Sequence, residues 1–329
     1  MIQIGTITSS PETIIKFATS SPEINHIKMS QMQVSDGAPE LMSVRNALYL
    51  GNYNVCLSKI AQTSINENNT DVKLERDVLS YRAHIGLGQY DLVLQQIKES
   101  ESVAVALRAV RLLAEYFQSV KKGSSRDAIV EKLDSLNQDP SFVSDSTFAI
   151  VSSTIYAHEG NDVASLKSLH DVGTLEAASL RVRTLIRMNR VDLAENSYKK
   201  MIEMNEDATL TQFTGAYLAL AKGGREKLNE AELTFKELAE KFGNSVPLLN
   251  GKAICLMQDF EFEDAEKILL DALTLSTNDP ETLINLIVCS QHLKKDSFRF
   301  IGQLQSASPE HPWVKKYNAL SATFDKLTA

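Results

Sequence analysis

The sequence has few of the residues that build disulfide, metal or nucleic-acid sites. Three cysteines, an odd number, are spread over 329 residues without CxxC spacing, which argues against a disulfide framework or a zinc site and indicates reduced thiols in a cytosolic protein. Lys and Arg number 34 against 42 Asp and Glu, for a net charge of -8, and no long basic run supplies the clustered cations that phosphate binding needs. We therefore expect no nucleic-acid partner.

Long apolar runs are also missing. The longest uncharged interior run, Ala208–Ala221, is well short of the roughly 20 residues that a membrane-spanning helix needs. The N-terminal stretch MIQIGTITSS has neither the positive region nor the continuous apolar core of a signal peptide. Any membrane association is therefore expected to come through partners or surface contacts.

No motif for catalysis, cofactor binding or metal binding withstands inspection. HEGND at His158–Asp162 begins like a zinc-protease helix, but Asp162 stands where the second His is needed. GLGQYD at Gly86–Asp91 lacks the third glycine and the preceding strand of a dinucleotide loop. We predict a protein without catalytic residues, cofactors or metal ligands.

The sequence does contain a repeat. LGNYNVCLSKI begins at residue 50 and LGQYDLVLQQI at residue 87, and the position of Cys56 in this pattern recurs along the chain. The residues in that register are Cys56, Val93, Ala128, Ser165, Ala194, Ala231 and Ala265. Their spacing is close to the period of about 34 residues that is typical of tetratricopeptide repeats. We therefore predict an all-α, tetratricopeptide-like α-solenoid of about eight helix-turn-helix units with a C-terminal capping helix.

The roles of individual repeat positions follow from helix packing. Gly51 and Gly88 are expected to end the first helix of a unit in the left-handed conformation that glycine tolerates. One turn later, a small residue allows the two helices to approach closely, so we expect Cys56 to be buried and inert. Trp313 is expected to be a packing anchor for the last helix.

The repeat register also sets the domain boundaries. Residues 38–329 are predicted to form the solenoid. Residues 1–37 show no repeat register, are rich in Ser, Thr and Pro, and are predicted to be a flexible N-terminal extension.

Two arginines stand out as candidate partner-binding residues. Arg45 and Arg82 both lie six residues before a turn glycine, a position that lines the inner, concave face of a stacked array. Two stacked arginines there could bind a carboxylate or backbone carbonyls of a partner. The alternative is that each is solvated or paired with a local glutamate such as Glu75.

Several stretches resemble the epsilon subunit family of coatomer, the coat of Golgi-derived COPI vesicles. The resemblance covers about Ala38 to the C-terminus. It rests on VRNALYLGNYNVCL from Val44, ERDVLSYRA from Glu75, EDATLTQ from Glu206, LLNGKAICLM from Leu248, DPETLINLIVCSQHLKK from Asp279 and HPWVKKYNALSATFDKL from His311.

The resemblance implies a non-enzymatic scaffold that binds the C-terminal domain of the coatomer alpha subunit, and through it the other coatomer subunits, with an extended alpha segment in the curved cradle. It further implies a cytoplasmic protein, peripheral on the cytosolic side of Golgi membranes and COPI-coated vesicles, recruited through an Arf-type GTPase. The implied process is retrograde Golgi-to-ER and intra-Golgi transport. Met1–Gln31 has no counterpart in the family and is expected to be dispensable for alpha binding.

A second hypothesis is a tetratricopeptide co-chaperone-type adaptor that binds an acidic peptide tail. Such a clamp needs converging Lys, Arg and Asn on the inner helices of three adjacent repeats. The third and later units supply no matching basic set that the repeat register reveals, and the array is long for a simple clamp.

Overall fold

A computed structural model describes residues 37–66 and 68–328 of the chain. The predicted flexible extension, residues 1–37, lies outside the described residues except for Gly37. In the described part, a short 3-10 helix, Pro39–Leu41, precedes eighteen α-helices, and there is no β-strand. The helices are α1 (Met42–Tyr49), α2 (Tyr53–Gln62), α3 (Thr70–Gly86), α4 (Tyr90–Gln96), α5 (Val105–Lys122), α6 (Asp127–Leu136), α7 (Pro140–Val143), α8 (Ser146–His158), α9 (Asp162–Ser168), α10 (Leu175–Arg187), α11 (Val191–Asn205), α12 (Thr209–Lys222), α13 (Arg225–Phe242), α14 (Val246–Gln258), α15 (Phe262–Leu275), α16 (Pro280–His292), α17 (Phe298–Ala307) and α18 (Pro312–Thr328).

The described helices pair into eight hairpins followed by a terminal helix. The pairs are α1 with α2, α3 with α4, α5 with α6, α8 with α9, α10 with α11, α12 with α13, α14 with α15, and α16 with α17. The short helix α7 lies between the third and fourth hairpins, and α18 follows the eighth. The all-α, tetratricopeptide-like solenoid with a C-terminal helix is therefore confirmed.

Most of the turns between paired helices share one backbone conformation. In seven of the eight described hairpins, a residue within two positions of the end of the first helix has a positive φ, and the next backbone N–H bonds to a carbonyl five residues back, which is a Schellman motif. The residues with positive φ are Gly51, Gly88, Gly123, Gly160, Asn189, Phe260 and Lys294. The sixth hairpin turns instead through two successive glycines, Gly223 and Gly224. The expected role of Gly51 and Gly88 is thus confirmed.

The residue at the small position of the repeat is buried in six hairpins but exposed in the third. Cys56, Val93, Ser165, Ala194, Ala231 and Ala265 are all at most 1% exposed. The prediction for Ala128 was wrong, because this residue is exposed. The others, Ala231 apart, are each the fourth residue of the second helix, one turn into the packed interface, whereas α6 begins only at Asp127. Leu133 therefore fills the interface in place of Ala128.

Neighbouring hairpins stack where an aromatic ring covers a helical glycine. A Cβ atom placed on Gly251 in α14 would lie 2.6 Å from the ring of Phe235 in α13, closer than any side chain there allows. Tyr53 covers Gly86 and Tyr198 covers Gly215 in the same way. These contacts bury the apolar face that a single hairpin leaves open.

The last helix closes the eighth hairpin. Val314 of α18 is 1% exposed and packs in a cluster with Ile301 and Leu304. Trp313 is partly buried in the same cluster and stacks on Tyr317, with ring centroids 5.2 Å apart, as expected for a packing anchor. Among the residues described, no helix combines the length and apolar character needed to cross a membrane.

Candidate partner-binding face

The turn of the first hairpin packs against the sixth and seventh hairpins. Leu50 is fully buried, in a cluster that includes Leu228 and Leu248. Beside it, a Cβ atom on Gly51 would lie 2.9 Å from Cγ of Pro247. The solenoid therefore curves so strongly that its first turn meets α14.

A hydrogen-bonded contact accompanies this packing. The side-chain amide of Asn52 donates to the carbonyl oxygens of Phe242 at 3.3 Å and Gly243 at 3.4 Å. These carbonyls lie at the end of α13, where the last C=O groups of a helix have no intrahelical partner. Asn52 thus satisfies acceptors that lie 190 and 191 residues further along the chain.

Arg82 joins the second hairpin to the fifth. Its Nη1 donates to Oε2 of Glu176 on α10 at 3.1 Å, and its Nη2 pairs with Oε1 of the same carboxylate. Burial by itself lowers the pKa of Arg82, but the charge and hydrogen bonds of Glu176 outweigh burial and raise that pKa above its ordinary value. The guanidinium is held in its charged form by a residue from a distant repeat.

Arg45, on α1, pairs with a residue of the neighbouring second hairpin. It is 7% exposed, and its Nη1 pairs with Oε1 of Glu75 on α3. The backbone N–H of Ala38 donates to the other oxygen of Glu75 at 2.9 Å. The sequence analysis gave pairing with Glu75 as the alternative to partner binding, and the structure contains this ion pair. Partner binding by Arg45 and Arg82 stays a prediction.

The same register contains inner residues that the sequence reasoning missed. Arg183 lies six residues before Asn189, the positive-φ residue of the fifth turn, and Tyr217 lies six before Gly223. Arg183 is exposed and has no ion-pair partner in the part of the chain that the structure describes. It lies two turns from Glu176 on the same side of α10. The sequence signal for Arg183 is Asn189, because this asparagine takes the place of the turn glycine.

Charged residues of the inner register influence the pKa values of two tyrosines. Burial raises the pKa of Tyr217 to about 12, and the charge of Arg183 opposes this rise. Burial likewise raises the pKa of Tyr53, with Arg82 opposing and Asp279 reinforcing the rise. The Tyr217 hydroxyl also donates to the carbonyl of Pro247 at 3.3 Å.

We define the inner face as Tyr53, Arg82, Arg183, Tyr217 and Asp279. These residues come from hairpins one, two, five, six and eight. Their side chains combine aromatic surface with charges of both signs, which suits a protein segment better than a small molecule.

The three cysteines are unsuited to chemistry. All are buried, and burial raises the pKa of the thiols of Cys56 and Cys289 to about 11 and that of Cys255 to about 12. At neutral pH they remain protonated and poor nucleophiles. Across the described ranges, no group of three or more His, Cys, Asp or Glu side chains is placed to hold a metal ion.

A cavity of about 150 Å³ lies against α5 and α6. Its charged walls are largely satisfied internally, because Arg111 pairs with Glu115 and Lys132 pairs with both Glu99 and Glu115. We assign it no ligand.

Comparisons with known proteins agree on one family. The family model of the coatomer epsilon subunit matches residues 37–329. Coatomer subunit epsilon-1 of Arabidopsis thaliana is 37% identical over 88% of this chain and 96% of its own. Coatomer subunit epsilon of Dictyostelium discoideum is 31% identical over 87% of this chain and 96% of its own.

A solved structure supports the fold alone. The crystal structure of the APC/C hetero-tetramer Cut9–Hcn1 aligns with 82% of this chain and 52% of that chain, at 14% identity and a TM-score of 0.52. The family assignment rests on the family model and on the curated relatives, which are coat subunits and not enzymes. This chain belongs to the coatomer epsilon subunit family and is a subunit of the COPI coat.

Proposed function

We propose that this coatomer subunit binds the C-terminal domain of the alpha subunit on its inner face. The observation that carries the proposal is the curvature of the solenoid, in which Asn52 of the first turn bonds to the end of α13. This curvature makes the first helices of distant hairpins face a common interior, where an extended partner segment can touch several repeats at once.

The chemistry of the inner face supports a peptide ligand. Arg183 offers an exposed guanidinium without an ion-pair partner in the described residues, and a guanidinium binds carboxylates and backbone carbonyls well. Tyr53 and Tyr217 add ring surface of the kind enriched in protein interfaces.

Arg45 and Arg82 remain part of the proposal. A guanidinium has five N–H donors, and Glu75 and Glu176 occupy only some of them. In this proposal the remaining donors bind carbonyl groups of the partner, while the glutamates hold each guanidinium in place.

The proposed cellular role is that of a scaffold. We place the subunit on the cytosolic side of Golgi membranes and COPI-coated vesicles, attached through the alpha subunit and an Arf-type GTPase. There it would support retrograde Golgi-to-ER and intra-Golgi transport by holding the alpha subunit in the coat.

Calorimetric titration of the full-length chain with the recombinant C-terminal domain of the alpha subunit tests the proposal. We expect a stable one-to-one complex, and absence of binding would overturn the assignment. A chaperone C-terminal tail peptide, titrated in parallel, tests the co-chaperone hypothesis. We expect no binding of the tail, because the third and later repeats supply no basic set that matches Arg45 and Arg82.

A further inference from the structure

Phe260, in the turn of the seventh hairpin, is a bulky residue at a position that favours glycine. Its φ is +67°, in the left-handed region that disfavours bulky residues. Its side chain is nevertheless 79% exposed. Four other turns place glycine at the equivalent position, the fifth turn places Asn189 there, and the eighth turn places Lys294 there. The Schellman turn accounts for the positive φ, but neither backbone preference nor core packing explains a phenylalanine at this position.

Phe260 belongs to a row of rings that connects two neighbouring turns. Its ring packs edge-on against Phe262, with centroids 6.3 Å apart. Phe262 stacks on His292, at the end of α16, with centroids 4.1 Å apart and planes 7° from parallel. We call Phe260, Phe262 and His292 the aromatic edge.

The charges around the aromatic edge differ between its two ends. At the seventh turn, Asp259, Glu261 and Glu263 surround Phe260, and none has an ion-pair partner within the described ranges. At the eighth turn, Lys294 is exposed and likewise unpaired there. An anionic lipid surface would be repelled by the acidic end, whereas a protein segment can match both ends.

We propose that the aromatic edge docks a segment of another coatomer subunit. The segment has an apolar centre that covers Phe260, basic residues opposite Glu261 and Glu263, and an acidic residue opposite Lys294. The docking surface lies on the turn edge of hairpins seven and eight and is separate from the inner face. It depends on membership of the coatomer complex and not on alpha binding at the inner face.

Photo-crosslinking in the assembled complex locates the segment. A photoreactive phenylalanine analogue is placed at position 260 of the full-length chain, which is then assembled with the remaining coatomer subunits. The matched control carries the analogue at Asn189, the exposed equivalent residue of the fifth turn. We expect position 260 to crosslink to a segment of another subunit that contains Lys or Arg. Crosslinks only to a second copy of this chain, or no more crosslinking than at position 189, would overturn the proposal.

Substitutions separate docking from stability. Phe260→Asn places a residue that tolerates positive φ and should leave the melting temperature unchanged or higher. The same substitution should weaken binding to coatomer assembled without this chain by about tenfold, the usual scale for losing one aromatic anchor. Glu261→Lys and Lys294→Glu should each weaken binding as well. Unchanged affinity in all three variants, or Phe260-dependent binding to phosphatidylserine vesicles, would contradict the proposal.

One further measurement tests the inner-face proposal separately from the aromatic edge. Phe260→Asn should bind the isolated C-terminal domain of the alpha subunit as wild type does if the inner face alone holds that domain. Loss of that binding would show that the aromatic edge belongs to the alpha interface and is not a separate docking surface.

Discussion

Arg82 and Glu176, 94 residues apart in the chain, form an ion pair between the second and fifth hairpins. Both side chains are less than a fifth exposed, so solvent screens the pair only partly. The pair therefore has two consequences: it stabilises the curvature of the solenoid, and it positions a guanidinium on the inner face.

Arg82→Ala should lower the free energy of unfolding by about 2 kcal/mol, because the substitution leaves the largely buried Glu176 carboxylate without its partner. Urea unfolding measures this loss. The control is Arg190→Ala, which removes an exposed pair with Asp192 and should change the free energy of unfolding far less, because solvent screens an exposed pair. In the double variant with Glu176→Ala, the two losses should not add; full additivity would argue against a coupled pair.

Gly51→Ala should destabilise the protein more than Gly88→Ala. Both glycines have a positive φ, so both substitutions carry a backbone cost of about 1 kcal/mol. Only at Gly51 does a new Cβ meet Pro247, which adds roughly 1 kcal/mol from overpacking. Thermal unfolding compares the two variants. Equal losses would mean that the first turn does not press on α14 in solution.

The buried cysteines should resist thiol reagents at pH 8 and react fully in urea. Burial raises the folded-state pKa of Cys56 from 9.0 to about 11. Between these two pKa values the folded state therefore binds more protons than the unfolded state. The resulting stability is fully present below pH 9 and is lost as pH rises towards 11.

Cys56→Ala, which introduces the residue found in later hairpins, should reduce this alkaline loss in urea unfolding at pH 8, 9 and 10. Rapid labelling of native Cys56 would contradict its burial.

Arg183→Ala should weaken binding of the alpha C-terminal domain, because it removes an exposed inner-face guanidinium. The matched control is Arg225→Ala, an exposed arginine at the start of α13 and outside the inner register. The double variant Arg45→Ala with Arg82→Ala should also weaken binding while its circular dichroism stays helical. Unchanged affinity in a folded double variant would remove these two arginines from the interface.

Deletion of Met1–Gln31 should leave binding of the alpha C-terminal domain unchanged, because the family match begins only at residue 37. Calorimetric titration of the truncated and full-length chains makes the comparison. A clear loss of affinity in the truncated chain would assign the segment a role in the interface.

Local signals were enough for most of the fold. Gly51 and Gly88 predicted the turn geometry, because positive φ is a property of single residues. Cys56 predicted a close helix contact, because burial one turn into a helix depends on nearby positions. Ala128 misled, since α6 begins only at Asp127, four residues after the turn glycine Gly123, whereas α2 begins two residues after Gly51.

The candidate site was less accessible from the sequence. Arg45 and Arg82 were found through their spacing from glycine, but Arg183 was missed because asparagine replaces glycine at its turn. The pairing of Arg82 with Glu176 also left no local signal, because the two residues are distant in sequence.

The sequence by itself determined the all-helical class and the repeat, since these depend on short-range periodicity that every hairpin repeats. The family was indicated by the resemblance of particular stretches, such as those from Val44 and Asp279, to known members. Only the tertiary structure decided that Asn52 meets the end of α13 and that Arg82 meets Glu176. The physical reason is that curvature accumulates from small rotations between successive hairpins, so which distant repeats meet depends on the sum of all the packing contacts between them.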